Sequence, residues 1–210
     1  MGKEARAFLP LFPQKHIPAV LSSILQAGES LTKKTANDLE DWLSRRQYRR
    51  LIRNYPFRDG PLDIRIQPEI VFLDSDANRA AGKIDLLISC GLGAEVYFAI
   101  EAKRLRVRSA QGSLVAGNNK YVNDGMMRFV AGQYAPFMKT GAMLGYVFDG
   151  ETGKARLGVA RYIQSKTKEL KLISPMELAR SSILPNQPVD ETHHYLSTRT
   201  FIIYHIFLAV

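Results

Sequence analysis

The stretch GKIDLLISCGLGAEVYFAIEAKRL, residues 82–105, constrains the fold more than any other part of this chain. Two apolar runs, residues 86–88 and 97–100, flank a glycine-rich break, which is the pattern of two strands joined by a turn. Both runs are nearly continuous in apolar residues, as in strands that are covered on both faces. The sequence therefore predicts a buried β-hairpin at this point.

Three charged residues, Asp85, Glu101 and Lys103, interrupt this apolar hairpin. Side chains alternate along a strand, so Glu101 and Lys103 must share one face. If Ser89 pairs with Glu95, Asp85 lies diagonal to Glu101 on that face, about 7–8 Å away at the backbone. That spacing suits two carboxylates that bind one ion, whereas a solvated polar face is the simpler alternative. Because buried charges are costly unless they are paired or coordinate a metal, the apolar surroundings favour a metal site.

The composition is that of a folded protein with a basic surface. Apolar residues make up 46% of the 210 residues and charged residues 23%, so one substantial core is expected. Lysine and arginine (29) outnumber aspartate and glutamate (20). The resulting net charge of +9 favours a polyanionic partner, either nucleic acid or an acidic membrane surface.

The sequence predicts a cytoplasmic location without membrane attachment. The single cysteine, Cys90, excludes a disulfide framework and is typical of a reducing compartment. Residues 1–15 contain Pro10 and Pro13 and no continuous apolar core, which is unlike a secretory signal. The most apolar run, at 201–210, is too short for a helix that crosses a bilayer, which needs about 20 residues.

The order of predicted helices and strands indicates one α/β domain with a mixed sheet. Residues 1–28 are expected to form a helical extension, 29–149 the core, and 150–210 C-terminal helices and the last strand. Pro68 indicates that the first strand lies at an edge or contains a bulge. The predicted elements are helices at 16–27 and 29–53, a strand at 64–73, the hairpin, a helix at 120–139, a strand at 142–149, a helix at 151–170, a helix after the Ser174–Glu177 capping box, and a strand at 201–210.

The charged residues of the hairpin form a short signature. It reads Ile84-Asp85, then fifteen residues, then Glu101-Ala102-Lys103. This resembles the motif of the PD-(D/E)XK nuclease superfamily, the proteins with the restriction-endonuclease-like fold. Ile84 stands where the family's motif opens with a proline.

The resemblance extends from the motif to the order of elements. A helix, three strands, a helix and a strand are predicted between about residues 29 and 149, which is similar to the family's core. The resemblance implies a central mixed β-sheet flanked by helices, with extra N- and C-terminal helices. Many relatives add a glutamate from the helix that precedes the sheet. Glu29 is the first choice for that metal ligand, and Glu40 is the reserve.

The resemblance also implies a reaction chemistry for the signature residues. Asp85, Glu101 and the backbone carbonyl of Ala102 would bind Mg²⁺, and Mn²⁺ is expected to substitute for it. Hard oxygen ligands of this kind are those that Mg²⁺ prefers. Lys103 would orient the attacking water or stabilise the negative charge of the transition state.

Clusters of arginine residues supply candidate contacts to phosphate groups. Some relatives carry a Gln-x-x-x-Tyr feature that contacts substrate, but here Gln133 is followed by Phe137 at that spacing. The candidates for phosphate binding are Arg46, Arg49, Arg50 and Arg53 on one side of a predicted helix, Arg104 directly after the signature, and Arg128 on the helix that follows the hairpin.

The expected function is that of a metal-dependent nuclease, an endonuclease acting on DNA in restriction, phage defence, mobile-element biology or repair. Sequence specificity would come from loops of this chain, from a homodimer or from a partner protein. One alternative is a non-catalytic nucleic-acid-binding or assembly module that keeps the nuclease fold. Another is a structural α/β interaction protein whose hairpin resembles the motif by coincidence.

Overall fold

The computed structural model describes residues 11–35, 37–70, 82–93, 95–197 and 199–210. Within these residues, seven strands form a mixed β-sheet flanked by helices, and two pairs of short strands lie outside it. The strands are β1 (Asp63–Ile66), β2 (Glu69–Ile70), β3 (Gly82–Lys83), β4 (Leu86–Ser89), β5 (Tyr97–Leu105), β6 (Val107–Arg108), β7 (Leu114–Val115), β8 (Thr140–Val147), β9 (Ala179–Arg180), β10 (Val189–Leu196) and β11 (Arg199–Ala209).

Helical segments precede the sheet and connect its strands. A 3₁₀ turn at Gln14–His16 leads into the first α-helix. A seven-residue π-helix at Lys120–Met126 lies between β7 and β8 and continues directly into an α-helical turn. The α-helices are α1 (Ile17–Gly28), α2 (Glu40–Leu51), α3 (Met127–Val130) and α4 (Thr152–Ser165).

The strands of the sheet lie in the order β1-β4-β5-β8-β11-β10-β9. β4 is antiparallel to both of its neighbours, β1 and β5. β8 runs parallel to β5 on one side and to β11 on the other. β10 and β9 then complete the sheet in antiparallel pairing. β11, the last of these strands in the sequence, therefore lies inside the sheet, between β8 and β10.

The two faces of the sheet pack against different helices. On one face, Leu208 of β11 contacts Gly28 at the end of α1, so closely that a Cβ at Gly28 would lie 2.5 Å from Leu208 Cδ2. The preceding residue, Phe207, points to the other face, because side chains alternate along a strand. There it stacks on Tyr121 of the π-helix, with ring centroids 5.8 Å apart. The sheet is thus the middle of three layers.

Several sequence predictions are confirmed. The mixed sheet flanked by helices is present, and α1 matches the helix predicted at 16–27. β8 and β11 match the strands predicted at 142–149 and 201–210. β1, which ends two residues before Pro68, lies at an edge of the sheet, as the proline indicated.

The helix predicted at 29–53 is wrong in its first half, because α2 begins only at Glu40. Upstream of it, Thr35 Oγ1 donates a hydrogen bond to Asp38 Oδ1 at 2.8 Å. Short polar side chains that bond locally in this way compete with helix formation. The helix predicted at 120–139 is also too long, since α3 ends at Val130.

The predicted C-terminal helices are wrong beyond α4. The Ser174–Glu177 capping box starts no helix, and Met176 has a positive φ of 57°, which a right-handed helix does not allow. Ile173 N instead donates to His193 O at 2.9 Å, so this segment runs beside β10. The strand predicted at 64–73 is split into β1 and β2, and its last three residues lie outside the described part of the chain.

Candidate functional site

The β4–β5 hairpin has a register that differs from the predicted one. Ser89 pairs with Tyr97 and not with Glu95, so the turn is two residues wider than expected. Gly91 and Gly93 adopt positive φ values of 76° and 116°, which residues with a Cβ rarely adopt, and they allow this wide turn. A shift by two residues keeps every side chain on its predicted face.

The corrected register brings Asp85 close to the middle of β5. Continuing the pairing by one position from Leu86↔Ile100 sets Asp85 opposite Glu101 instead of diagonal to it. Asp85 lies just before β4, and its Oδ2 accepts a hydrogen bond from Ala102 N at 2.7 Å. The Asp85 carboxylate is therefore held at the backbone N–H of Ala102, the residue between Glu101 and Lys103.

Lys103 lies in the same cluster, and its ammonium group is surrounded by oxygen atoms. Its Nζ donates to Glu101 Oε1 at 2.6 Å and to Ala102 O at 2.8 Å. The side chain is 11% exposed. Gly125 of the π-helix lies directly against Lys103, since a Cβ added at Gly125 would be 3.7 Å from Lys103 Cγ. The π-helix therefore covers this side of the sheet. The structure thus brings Asp85, Glu101 and Lys103 together.

Glu101 is the most deeply buried acid of the cluster, at 1% exposure. Its Oε1 is paired with Lys103 and with Arg128 Nη1, the latter at 3.2 Å. Its Oε2 has no hydrogen-bond partner among the described residues, although it is buried. Burial and the neighbouring Asp85 carboxylate together raise the pKa of Glu101 to about 8, against the opposing effect of Lys103.

The pKa of Asp85 is raised as well, mainly because burial disfavours its charged form. The hydrogen bond from Ala102 N and the charge of Lys103 act in the opposite direction. Both pKa values are raised mainly because burial disfavours the charged form of a carboxyl group. Such perturbed groups are typical of functional sites, and an added cation would favour the charged form of both.

Of the two glutamates considered for an extra ligand, Glu40 is the one near the signature residues. It is the first residue of α2, and its Oε2 accepts a hydrogen bond from Arg104 N at 2.6 Å. Its Oε1 lies 4.0 Å from Lys103 Nζ. Glu29 is exposed in the turn after α1 and lines a cleft with Phe207. In the described part of the chain, no hydrogen bond or ion pair joins Glu29 to a signature residue.

Arg128 and Tyr134 support the cluster from the segment that contains α3. The Arg128 guanidinium contacts Glu101 and donates to the Tyr134 hydroxyl. Tyr134 in turn donates to Lys83 O at 2.6 Å, two residues before Asp85. Arg128, which was predicted to bind phosphate, is thus paired with a carboxylate of the protein. The sequence prediction missed Tyr134, since one tyrosine after a helix carries no distinguishing pattern.

The donor atoms of the cluster fit a hard divalent cation, although not as a complete ligand set. The carboxylates of Asp85 and Glu101 and the carbonyl of Ala102 are oxygen donors, and Glu101 Oε2 is buried and unpartnered. No group of three or more His, Cys, Asp or Glu side chains within the described ranges is placed to hold a metal ion.

Two of the four arginines predicted to contact phosphate along α2 also make contacts within the protein. Arg46 Nη1 donates to Thr32 O and Arg50 Nη2 to Ser30 O, each at 2.7 Å, so both hold the segment that precedes α2. The Arg46 guanidinium also lies over the Trp42 ring. The other two arginines, Arg49 and Arg53, are exposed to solvent. Arg104 is half-buried, and its Nη1 donates to Asp38 O at 3.1 Å.

Comparison of this chain with family models, with curated proteins and with solved structures found no significant match. The residues of the cluster, and the topology that positions them, therefore carry the indications of function in this chain. Across the residues that the structure describes, no helix is both long enough and apolar enough to span a membrane.

Proposed function

We propose that this chain is a Mg²⁺-dependent nuclease that hydrolyses phosphodiester bonds in DNA as an endonuclease. The observation that carries the proposal is the cluster of Asp85, Glu101 and Lys103. Two buried or half-buried carboxyl groups with raised pKa values lie beside an ammonium group and an unpartnered carboxylate oxygen. A protein that needed only stability would gain more from apolar side chains at these positions.

The topology around the cluster supports the same proposal. Along the chain, α2 is followed by the antiparallel strands β1, β4 and β5, the π-helix with α3, and the parallel strand β8. The short pairs β2–β3 and β6–β7, which lie outside the main sheet, are inserted between them. This is the order of helix, three strands, helix and strand that the resemblance to PD-(D/E)XK nucleases implies. Glu40 at the start of α2 stands where relatives supply an additional glutamate.

The residues of this chain have separate roles in the proposed reaction. When bound, Mg²⁺ supplies Lewis acidity toward the phosphate and makes coordinated water more acidic. Asp85, Glu101 and the Ala102 carbonyl bind the ion. The ammonium of Lys103 stabilises the additional negative charge at the phosphorus centre or orients the attacking water. Arg128 holds Glu101 in place through its contact at 3.2 Å.

A non-catalytic nucleic-acid-binding module is the second candidate, and one observation favours it. Lys103 Nζ contacts Glu101 Oε1 and Ala102 O, which are two of the proposed ligand atoms. An ammonium group in that position compensates the carboxylates without any metal. Under this alternative the cluster is a structural ion pair, and the basic surface alone binds nucleic acid.

The test is a cleavage assay with plasmid, linear duplex DNA, single-stranded DNA and RNA, each in Mg²⁺, Mn²⁺ or EDTA. We expect the plasmid to be nicked or linearised only with a divalent ion. The variants Asp85→Asn, Glu101→Gln and Lys103→Ala should each lose about a hundredfold or more of the rate, which is the typical cost of removing a transition-state contact. Correct folding of each variant is checked by its circular dichroism spectrum.

Asp63→Asn and Lys154→Ala, which change exposed residues outside the cluster, are the matched controls and should cleave at the normal rate. Tight binding that needs no metal, together with no cleavage of any substrate, would favour the binding module. A chain that neither binds nor cleaves nucleic acid would exclude both proposals.

A further inference from the structure

Directly after the candidate site, the chain forms a small β-hairpin that projects from the protein. Among the residues that the structure describes, β6 and β7 pair only with each other, and we call residues 107–115 the hairpin arm. Residues 110–116 are all exposed, including two apolar side chains, Leu114 (45% exposed) and Val115 (54% exposed). Val107 at the base of the arm packs against the core, whereas residues 110–116 are exposed. A two-stranded hairpin with so little packing is marginally stable in water, so its exposed part is suited to contact a partner.

The base of the hairpin arm is anchored firmly. Arg106 N donates to Ala116 O at 3.0 Å, which closes the arm. The Arg106 guanidinium forms two hydrogen bonds with Asp149, at 2.8 and 3.0 Å from Nε. Gly117 adopts a φ of 77°, and a Cβ there would lie 2.5 Å from Arg104 O. The arm therefore has a defined position relative to β5.

The hairpin arm begins close to the cluster. Val107 follows Lys103 by four residues, which span at most about 13 Å at about 3.3 Å per residue. Successive nucleotides of a DNA strand are about 3.4 Å apart, so this reach covers about four base pairs. A duplex with a phosphate at Lys103 would extend past the base of the arm.

The charges around the hairpin arm are complementary to nucleic acid. Between Ala102 and Asn123 the sequence contains five Lys and Arg residues and no Asp or Glu. Lys103, Arg104 and Arg106 are engaged in contacts within the protein. Arg108 and Lys120 are exposed, and Arg108 has only a long contact of 3.4 Å to Gly112 O. These two cations are placed to meet phosphates.

We propose that the hairpin arm enters the major groove of a DNA duplex bound at the candidate site, an inference that rests on the proposed function. The major groove of B-DNA admits a two-stranded β-ribbon, whereas that of an RNA duplex is too narrow for side chains to read. Leu114, on the same face of the ribbon as Arg108, contacts thymine methyl groups there, and Val115 on the opposite face contacts the sugar edge. Arg108 and Lys120 bind the phosphates along the groove.

The test measures binding separately from cleavage. A short fluorescent DNA duplex, its single strand and an RNA duplex are titrated with the full chain in EDTA, and the Kd is read from anisotropy. Leu114→Thr/Val115→Thr keeps residues that tolerate a strand but removes apolar surface. Arg108→Gln removes the cation alone. We expect each variant to bind the DNA duplex about tenfold more weakly, with much smaller changes for the other two ligands.

The controls are Leu157→Gln and Arg161→Gln on α4, where Leu157 is 54% exposed, as Val115 is. Unchanged melting temperatures show that the variants are folded. If the arm variants bind the duplex as the controls do, the inference fails, whether or not the wild-type chain cleaves DNA. Equal losses for duplex and single strand would also overturn it. If the wild-type chain binds duplex through the arm without cleaving it, the inference stands and the nuclease proposal fails.

Discussion

At the scale of the residue, Lys103 determines how the candidate site behaves without metal. Its ammonium contacts Glu101 Oε1 and Ala102 O, so it occupies space next to atoms that the ion would need. Arg128 is the other cation at Glu101, at 3.2 Å. The site therefore carries an internal positive charge, and the proposed ion would share Glu101 and Ala102 O with Lys103.

Replacement of Lys103 by methionine should increase the thermal stabilisation that Mn²⁺ provides. The variant keeps the length of the side chain but leaves Asp85 and Glu101 short of one positive charge, which a divalent ion then supplies. Tenfold tighter binding would add about 1.4 kcal/mol, or about 3 °C for a chain of this size. Melting temperatures in EDTA and in Mn²⁺ measure this difference. Lys154→Met, at an exposed position, is the control, and equal Mn²⁺ shifts in all three proteins would contradict the prediction.

Removal of the Tyr134 hydroxyl should destabilise the protein and weaken the site. Tyr134→Phe leaves Lys83 O without its donor and Arg128 without one of its acceptors, in a fully buried position. A lost buried hydrogen bond of this kind lowers the free energy of unfolding by about 1–2 kcal/mol. Urea denaturation measures it. Tyr195→Phe, on a side chain that is 52% exposed, should be neutral, and the prediction is wrong if both variants unfold at the same urea concentration.

The sequence could predict that the signature residues share one face of the hairpin. Side chains alternate along a strand, so a register error of an even number of residues does not change the face on which they lie. The assumed pairing of Ser89 with Glu95 was wrong, but the error of two residues left Asp85 and Glu101 on the same side. The partners of Glu101 are harder to predict from the sequence. The pattern predicts a phosphate contact for Arg128 and indicates no role for Tyr134. Contacts across twenty-seven or more residues of sequence follow from packing, not from spacing.

At the scale of the element, β10 and β11 contain a buried chain of hydrogen bonds that ends at the π-helix. His194 Nδ1 lies 2.7 Å from Leu170 O and must donate to it, so His194 Nε2 accepts from Thr192 Oγ1 at 2.8 Å. Thr192 Oγ1 then accepts from His205 Nε2 at 2.9 Å, and His205 Nδ1 accepts from the Tyr121 hydroxyl at 3.0 Å. Each donor and acceptor is used once when both histidines are neutral.

This network should make the fold sensitive to acid. Burial lowers the pKa of His194 to about 4 and that of His205 well below its ordinary value of 6.5, with Arg156 adding to the effect on His205. In the unfolded chain both histidines take up protons below about pH 6.5. The unfolded state therefore binds more protons in this range. The stability that the two neutral histidines contribute is complete above about pH 6.5 and falls as the pH decreases toward 4, by about 3 kcal/mol for His194 alone. The raised pKa of Glu101 acts in the opposite direction between about pH 4.5 and 8, equally in the wild-type chain and in a histidine variant.

The measurement is the free energy of unfolding from urea denaturation at several pH values between 4 and 7, a range set by the histidine pKa values. His194→Gln/His205→Gln removes both titrating groups. Its overall stability is lower, because the network is broken, and its stability should gain less than that of the wild-type chain as the pH rises from 4 to 6.5. The same slope in both proteins would show that other groups cause the acid sensitivity.

Sequence patterns predict the elements whose apolar residues recur clearly, such as α1 and β11. β10 was missed because its sequence, VDETHHYL, looks polar, yet Asp190, Glu191, Thr192 and His194 are all buried. Each of them has a partner, for example the two hydrogen bonds from Arg156 to Asp190 at 2.8 and 2.9 Å. Polar side chains that are paired across a fold cannot be distinguished from loop residues by hydropathy alone.

At the scale of the whole molecule, the excess of positive charge has a measurable consequence for the proposed partner. With a net charge of +9, binding to DNA should be dominated by phosphate contacts and the release of counterions. The class of fold could be predicted from the order of elements, and the charge from composition. The distribution of that charge could not, because Arg46 and Arg50 are used to hold the chain before α2.

DNA binding should weaken steeply with salt. Each phosphate contact lowers the logarithm of the association constant by about 0.9 per tenfold increase in salt, so we expect a loss of about tenfold or more between about 50 and 200 mM. Anisotropy titrations over that range in EDTA give the slope. Arg108→Gln should reduce the slope by about 1, whereas Arg161→Gln should not change it. Affinity that does not depend on salt would contradict a phosphate-based interaction.

The position of β11 inside the sheet also affects how the protein is made on the ribosome. β8 is synthesised more than fifty residues before β11, its neighbour in the parallel pair Ile202↔Thr140 to Ala209↔Val147. Until residues 199–209 emerge, the nascent chain displays one whole side of β8, a strand whose residues are all buried in the finished protein. Such an open apolar edge is a template for wrong pairing. Pairing with β11 covers this edge, so the last strand to be synthesised also removes the exposed template.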